Sequence, residues 1–279
     1  MDMPKVSPAK RICLVNGVPA TEVSIQDRGL AYGDGLFETI RVSGGRPSLR
    51  DYHLNRLNRG AVRLQLPIDL PQIESEIDSL AADIGIGVLK LIVTRGDSGR
   101  GYVIPQSQQP TRILQTAPLP NYPEQHAEQG IRLYPCRTRL GHQPLLAGLK
   151  HLNRLEQVLA RSEWQDPAYA EGLMCDLNDN PIEGTMSNIF ARMDHGWVTP
   201  SLDQCGVAGV MRDFLIDELG REQPLVVKTL SRAELLGADE VFCCNSVFGV
   251  WPVIGLEEHQ WPIGPHTRYA QILAEQVFN

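Results

Sequence analysis

Short apolar runs bounded by turn residues alternate along this chain with longer stretches of helical period. RICLVNG (11–17) predicts a strand closed by the Asn16-Gly17 turn signal, and LFETIRV (36–42) predicts another that runs into Gly44-Gly45. From Asp51 to Gln65 the period lengthens. Leu54, Leu57, Ala61 and Leu64 fall on one helical stripe, with Asn55, Asn58, Arg59 and Arg63 opposite. A second helix is predicted over 71–83, between Pro67 and Gly85, then strands over 88–95 and 111–118 that flank the glycine-rich segment RGDSGRGYVIP.

Three prolines in APLPNYPEQ (117–125) break all periodicity, which predicts an interdomain connection between an N-terminal domain over 1–116 and a C-terminal domain over 126–279. Beyond it the pattern predicts strands over 130–135, 170–177 and 187–193 and helices over 151–164 and 209–219. The strand VVKTL, a short AELLGA helix, the strands EVFCCNS and WPVIG, and a terminal helix complete the chain. Strands and helices mixed in both halves, with no internal repeat, predict a two-domain α/β (α+β) protein with a cleft between its domains.

Composition narrows the function classes. The chain has 279 residues, 42% hydrophobic and 21% charged, which excludes disordered and fibrous readings. A net charge of -7 without a basic run argues against nucleic acid, and no window approaches the apolar length of a membrane span. The six cysteines form no CxxC and no metal-ligand spacing, and the N-terminal MDMPKVSPAKR lacks an apolar signal core; a cytoplasmic, metal-free protein is expected. Only five of the 26 basic residues are lysines, so each lysine with apolar neighbours calls for a reason.

Lys150 ends the apolar approach PLLAGLK and precedes a helical pattern. Desolvation there would favour the neutral amine that Schiff-base lysines need, although a helix-edge lysine that snorkels reads the same way. Glu183, in NDNPIEGTMSNIF, is either a solvated loop acid or a carboxylate facing a cationic heterocycle, with Gly184, Thr185 and Ser187 as small polar company. Gly206 to Arg212 runs from a glycine-containing loop into a helix, either a plain turn or first N–H groups that suit a phosphate, and the Ser246 hydroxyl either binds an anion or merely ends an apolar strand. Arg56 on the first long helix, and Arg95 and Arg100 in the glycine-rich segment, carry forked donors that match carboxylate or phosphate oxygens, although a surface helix residue and an exposed hairpin read the same way. Lys90, mid-strand between Leu89 and Leu91, either faces solvent by alternation or meets a charged ligand.

In their order along the chain, DRGLAYGDGLFETIRV (27–42), HLNRL (53–57), GLKHLNRLEQVLARS (148–162), EGTMSNIF (183–190), GVAGVMRD (206–213) and VFCCNSV (241–247) resemble the fold-type IV pyridoxal-phosphate enzymes. That group holds branched-chain and D-amino acid aminotransferases and 4-amino-4-deoxychorismate lyases. The resemblance implies a D-amino acid aminotransferase-like fold and a homodimer that uses pyridoxal 5'-phosphate. It implies Lys150 as the covalent attachment point, Glu183 on the pyridine nitrogen, and Arg56, the backbone of Val210 and Met211, and Ser246 on the phosphate. Within the group, GLKHLNRLEQVL and RGDSGRGY are similar to the lyases, and Leu155 stands where branched-chain aminotransferases carry a tyrosine. The lyase resemblance implies a small-molecule substrate, aminodeoxychorismate, converted to p-aminobenzoate and pyruvate. Lys150 would abstract a proton, Thr39 would lie beside it, and Arg100, Lys90 and, more weakly, Arg95 would bind substrate carboxylates. Glu38 instead looks like the acid found in the aminotransferases, which keeps a D- or branched-chain amino acid aminotransferase as the alternative.

Overall fold

The structure, a computed structural model, describes residues 11–194 and 196–279; apart from Arg11, the polar N-terminal stretch lies outside the described residues. The chain divides into two units, Met1–Asn121 with Phe278–Asn279, and Tyr122–Val277.

The first unit contains β1 (Cys13–Val15), β2 (Val18–Pro19), α1 (Arg28–Tyr32), β3 (Gly35–Ser43), β4 (Arg46–Pro47), α2 (Arg50–Leu64), α3 (Leu70–Ile84), β5 (Gly87–Thr94) and β6 (Thr111–Ala117). Its sheet has the order β2-β1-β6-β5-β3-β4, with every pair antiparallel. Burial alternates strictly along β3. Leu36, Ile40 and Val42 join Leu54, Leu57 and Ala61 of α2 and Ile73 and Ile77 of α3 in one core. Each such side chain contributes roughly 1.5–3 kcal/mol by leaving water, so the stripe on α2 sets which side chains of that helix turn inward. The same alternation carries Glu38 inward and leaves Phe37 and Thr39 half-buried on the other face.

The second unit contains α4 (Gln125–Glu128), β7 (Ile131–Leu140), α5 (Leu155–Arg161), β8 (Tyr169–Asp176), β9 (Pro181–Gly184), β10 (Asn188–Met193) and β11 (Gly196–Pro200). They are followed by α6 (Val210–Glu222), β12 (Leu225–Lys228), α7 (Arg232–Leu236), β13 (Glu240–Asn245), β14 (Gly249–Leu256), β15 (His259–Gln260) and α8 (Pro265–Gln276). Strands β10, β13, β14, β7, β8 and β9 pair in that order, and β9 pairs back onto β10, which closes them into a barrel. β9 and β11 are buried along their whole length, so they lack the alternation that reveals a half-exposed strand. The helix expected over 151–164 is confined to α5. Its first four residues are held in a turn by Arg154, whose Nε donates to the His151 carbonyl at 3.0 Å.

Fully buried Glu171 on β8 fastens the turn between β9 and β10. Its carboxylate accepts the N–H groups of Gly172 at 2.8 Å, Thr185 at 2.9 Å and Met186 at 3.2 Å, and the hydroxyls of Thr185 and Ser187. Gly184 is required beside it, because a Cβ there would lie 2.2 Å from the Ser187 hydroxyl. Glu171→Ala would strand several buried donors, and we expect a loss of about 3 kcal/mol or more, measured as a lower urea midpoint at unchanged slope. An unchanged midpoint would contradict this role.

Candidate active site

In the second unit the segment 206–209 connects three of the residues singled out above. Gly148 lies beside it in a parallel bridge, with Gly148 N–H on the Gly206 carbonyl at 2.9 Å and Ala208 N–H on the Gly148 carbonyl at 3.1 Å. That bridge holds the backbone two residues before half-buried Lys150. Val207 N–H donates to Glu183 Oε2 at 2.8 Å, and Gly209 begins α6. Asn188 of β10 fixes the segment, donating through Nδ2 to the Val207 carbonyl at 2.8 Å and accepting from Gly209 N–H at 3.0 Å. A Cβ on residue 209 would come within 2.1 Å of the Asn188 oxygen, so only glycine lets the helix start here.

Glu183 is 3% exposed, and burial pushes its carboxyl up to about 7 against the lowering effects of the Val207 N–H, the Arg154 charge, the Gln157 amide and the Lys150 charge. Gln157 reaches Glu183 Oε1 at 3.3 Å. Thr185 and Ser187, expected to accompany Glu183, turn to Glu171 instead. No side chain caps α6, whose buried Val210 and Met211 begin a helix with unsatisfied N–H groups. Asp213, the acid of that first turn, is engaged by Arg212 at 3.4 Å. Ser246 is half-buried in the turn after β13. Burial and the Arg154 charge push His151 down to about 4, so it is neutral at pH 7 and its Nε2 accepts from Arg154. A cavity of about 310 Å³ opens here, lined by Ala147, His151, Arg154, Leu155 and Gly206 among others.

A half-buried amine, a buried acid raised despite nearby Arg154 and Lys150, and an uncapped helix start fit a cofactor with an aldehyde, a basic ring nitrogen and a phosphate. Among the described residues no group of three or more His, Cys, Asp or Glu side chains could hold a metal ion, and no helix is long and apolar enough to cross a membrane.

The first unit carries the remaining candidates. Arg56 is 5% exposed, not on the polar side of α2, and its guanidinium grips Glu38 with two donors, Nε at 2.8 Å and Nη2. His53, one turn earlier, meets the same carboxylate through Nδ1 at 2.6 Å. Burial alone would raise the Glu38 carboxyl, but Arg56 and then His53 hold it at about 2. Thr39 and exposed Lys90 pair across β3 and β5 on the opposite face, where Lys90 lies 5.7 Å from the Phe37 ring.

The weaker candidate, Arg95, requires correction. It is 3% exposed, and all five of its donors are engaged, by both oxygens of Asp34, Gln108 Oε1 and the carbonyls of Leu64 and Gln65. It holds the fold and has no donor left for a substrate. Arg100 is exposed.

Asn188, Val207, Gln157 and His53 were not singled out in the sequence. Their roles come from pairings between distant segments, and only His53 carried a local signal, one helical turn before Arg56.

The chain is similar to known proteins over most of its length. Residues 35–256 match the family described as amino-transferase class IV. The chain is 38% identical over 266 residues to an aminodeoxychorismate lyase of Vibrio harveyi, covering 92% of this chain and 97% of that one. It is 29% identical over 244 residues to a D-alanine aminotransferase of Bacillus licheniformis, covering 84% and 83%. The structure is similar to the crystal structure of 4-amino-4-deoxychorismate lyase from Pseudomonas aeruginosa, with a TM-score of 0.93 and 53% identity over 95% of this chain and 98% of that one.

Two outcomes follow from the buried acids. Glu38→Gln should cost about 3–5 kcal/mol near neutral pH by leaving Arg56 without its counter-charge. Because the Glu38 carboxyl lies at about 2 when folded, below its unfolded value of about 4.3, that penalty should shrink as pH falls between those limits in chemical denaturation. Glu183 has the opposite sign. Its folded value of about 7 lies above the unfolded one, so it withdraws stability as pH rises from about 4.3 to about 7. For cofactor-free protein, the unfolding free energy of Glu183→Gln relative to wild type should climb across that window and then level off; a flat difference would refute the assignment.

Proposed function

Because the chain belongs to the amino-transferase class IV family, we propose that it is a pyridoxal 5'-phosphate-dependent lyase, converting 4-amino-4-deoxychorismate to p-aminobenzoate and pyruvate in folate synthesis. The observation that carries the choice of reaction is the likeness to two aminodeoxychorismate lyases over nearly the full length of all three chains. Leu155, at the place of the branched-chain aminotransferase tyrosine, argues against that aminotransferase alone.

Pyridoxal phosphate, when bound, supplies an aldehyde carbon and an electron sink. Lys150 is its attachment point. Glu183, buried against the Val207 amide, would hold a proton at the cofactor's ring nitrogen. Arg56, oriented by Glu38, the Val210 and Met211 N–H groups, and the Ser246 hydroxyl take the phosphate. Lys150 Nζ would take the proton from ring carbon C4 of the substrate, with the bound cofactor supplying the electron sink. The C3–O ether bond then breaks, enolpyruvate leaves and gains a proton at its methylene carbon to become pyruvate, and the ring becomes aromatic. Thr39 hydrogen-bonds Lys150 or the substrate, and Arg100 and Lys90 take the two substrate carboxylates.

The reading includes a homodimer, supported by the exposed apolar side chains Leu155, Val158 and Leu159 on α5 and Tyr102 and Val103 after β5. It also includes a cytoplasmic setting, supported by six cysteines that are all unpaired.

The alternative, a D- or branched-chain amino acid aminotransferase, is favoured by Glu38 and by the D-alanine aminotransferase match. An assay without keto-acid acceptor separates the two. The lyase forms pyruvate and p-aminobenzoate over many turnovers, whereas an aminotransferase stops after one half-reaction. Lys150→Ala should abolish turnover and the absorbance of the attached cofactor; retention of both would overturn the proposal.

A further inference from the structure

The loop between β5 and β6 spans residues 95–110, far longer than the two to five residues that usually join antiparallel neighbours. It carries exposed Arg100, Tyr102 and Val103, yet its base is held by buried charge. Asp34 Oδ2 accepts Nε of Arg95 at 2.8 Å and Nε of Arg28 at 2.8 Å. Arg95 is consumed at the foot of the loop. Arg28, 4% exposed at the start of α1, reaches further along it. Its Nη1 donates to Ser98 Oγ at 3.1 Å and to the Gly101 carbonyl at 2.9 Å, and its Nη2 to the Tyr102 carbonyl at 3.4 Å. One guanidinium thus grips the chain on both sides of Arg100.

Further contacts come from the same short helix. Arg28 N–H donates to the Gly96 carbonyl at 3.0 Å, and Gly101 N–H donates to the Tyr32 hydroxyl at 3.3 Å. The Tyr32 and Tyr102 rings lie 5.2 Å apart, and the Arg28 guanidinium sits 5.0 Å over Tyr32. Asp27 anchors α1 in turn, accepting from Gly29 N–H at 2.7 Å and from the Thr94 hydroxyl at 2.8 Å.

We propose that Arg28 is a positioning residue for substrate recognition: by fixing the carbonyls of Gly101 and Tyr102 from α1 it presents Arg100 in one place before a carboxylate arrives. This rests on the assignment of Arg100 to a substrate carboxylate made above. Its physical content is pre-organisation. A cation on a glycine-flanked loop otherwise loses its freedom at the moment of binding, whereas here the buried fork on Asp34 has already ordered it.

The test uses the cofactor-loaded enzyme with three variants, Arg28→Lys, Tyr32→Phe and Arg100→Ala, in steady-state kinetics and in trypsin cleavage mapped at the 100–101 bond. Arg28→Lys keeps a charge for Asp34 but loses the fork. It should raise KM for aminodeoxychorismate by roughly 10- to 100-fold, the range expected for a displaced binding group, with kcat within about twofold. Cleavage after Arg100 should speed up severalfold. Arg100→Ala should raise KM similarly and add little when combined with Arg28→Lys, since both remove one interaction. Tyr32→Phe, at the surface, should shift KM and cleavage in the same direction by less, and it decides the matter if Arg28→Lys does not fold.

If Arg100→Ala raises KM while Arg28→Lys and Tyr32→Phe leave both KM and cleavage at wild-type values, the positioning role is overturned. If Arg100→Ala leaves KM unchanged, the substrate assignment itself fails and the positioning role falls with it. The cleavage rates then still report whether Arg28 orders the loop.

Discussion

The hydrogen bond from Val207 to Glu183 is the contact on which the second unit's chemistry depends. Val207 sits in a four-residue segment whose other backbone groups pair with Gly148, bond to Asn188 and open α6. The segments that carry Lys150, Glu183 and the start of α6 are therefore joined through one piece of backbone. Displacing that piece would move all three together. Asn188 and Gly209 make it rigid, the first by gripping both sides of Val207 and the second by having no atom to collide with the grip.

Three buried carboxylates show how environment separates structural from reactive acids. Glu171 is surrounded by donors and is spent on a turn. Glu38 is matched by an arginine fork and a histidine, which keep it ionised and keep Arg56 aimed. Glu183 receives one backbone N–H and one long amide contact, too little to offset its burial, and is pushed up toward neutrality where Glu38 is held low. A site that must accept a cationic ring nitrogen benefits from an acid left short of positive charge until that nitrogen is present.

Much of the fold was legible because burial in the first unit is one-sided. The stripe Leu54, Leu57, Ala61 read directly as the inner face of α2, and the turn glycines ended their strands where expected. Arg56 was harder, since a charge on that stripe suggests solvent. Its partner was nonetheless visible in principle: strict alternation through LFETIRV puts Glu38 on the same face as Leu36 and Ile40, and an inward acid calls for an inward base. The second unit hid more. β9 is four residues long, begins with Pro181 and ends with Gly184, so it read as a turn, and α5 starts late because Arg154 folds back on His151. Lys150, Glu183 and the 206–212 run each stood out alone, but the backbone that joins them is a pairing between segments more than fifty residues apart.

The barrel has a temporal consequence. Glu183 lies on the closing strand, pairing with Met174 of β8 on one side and Asn188 of β10 on the other, while the far wall requires Ile131 to find Val253. Such distant partners meet slowly, because the loop between them must first be ordered. The ring that carries the acid is complete only when β13 and β14, near the end of the chain, have joined it.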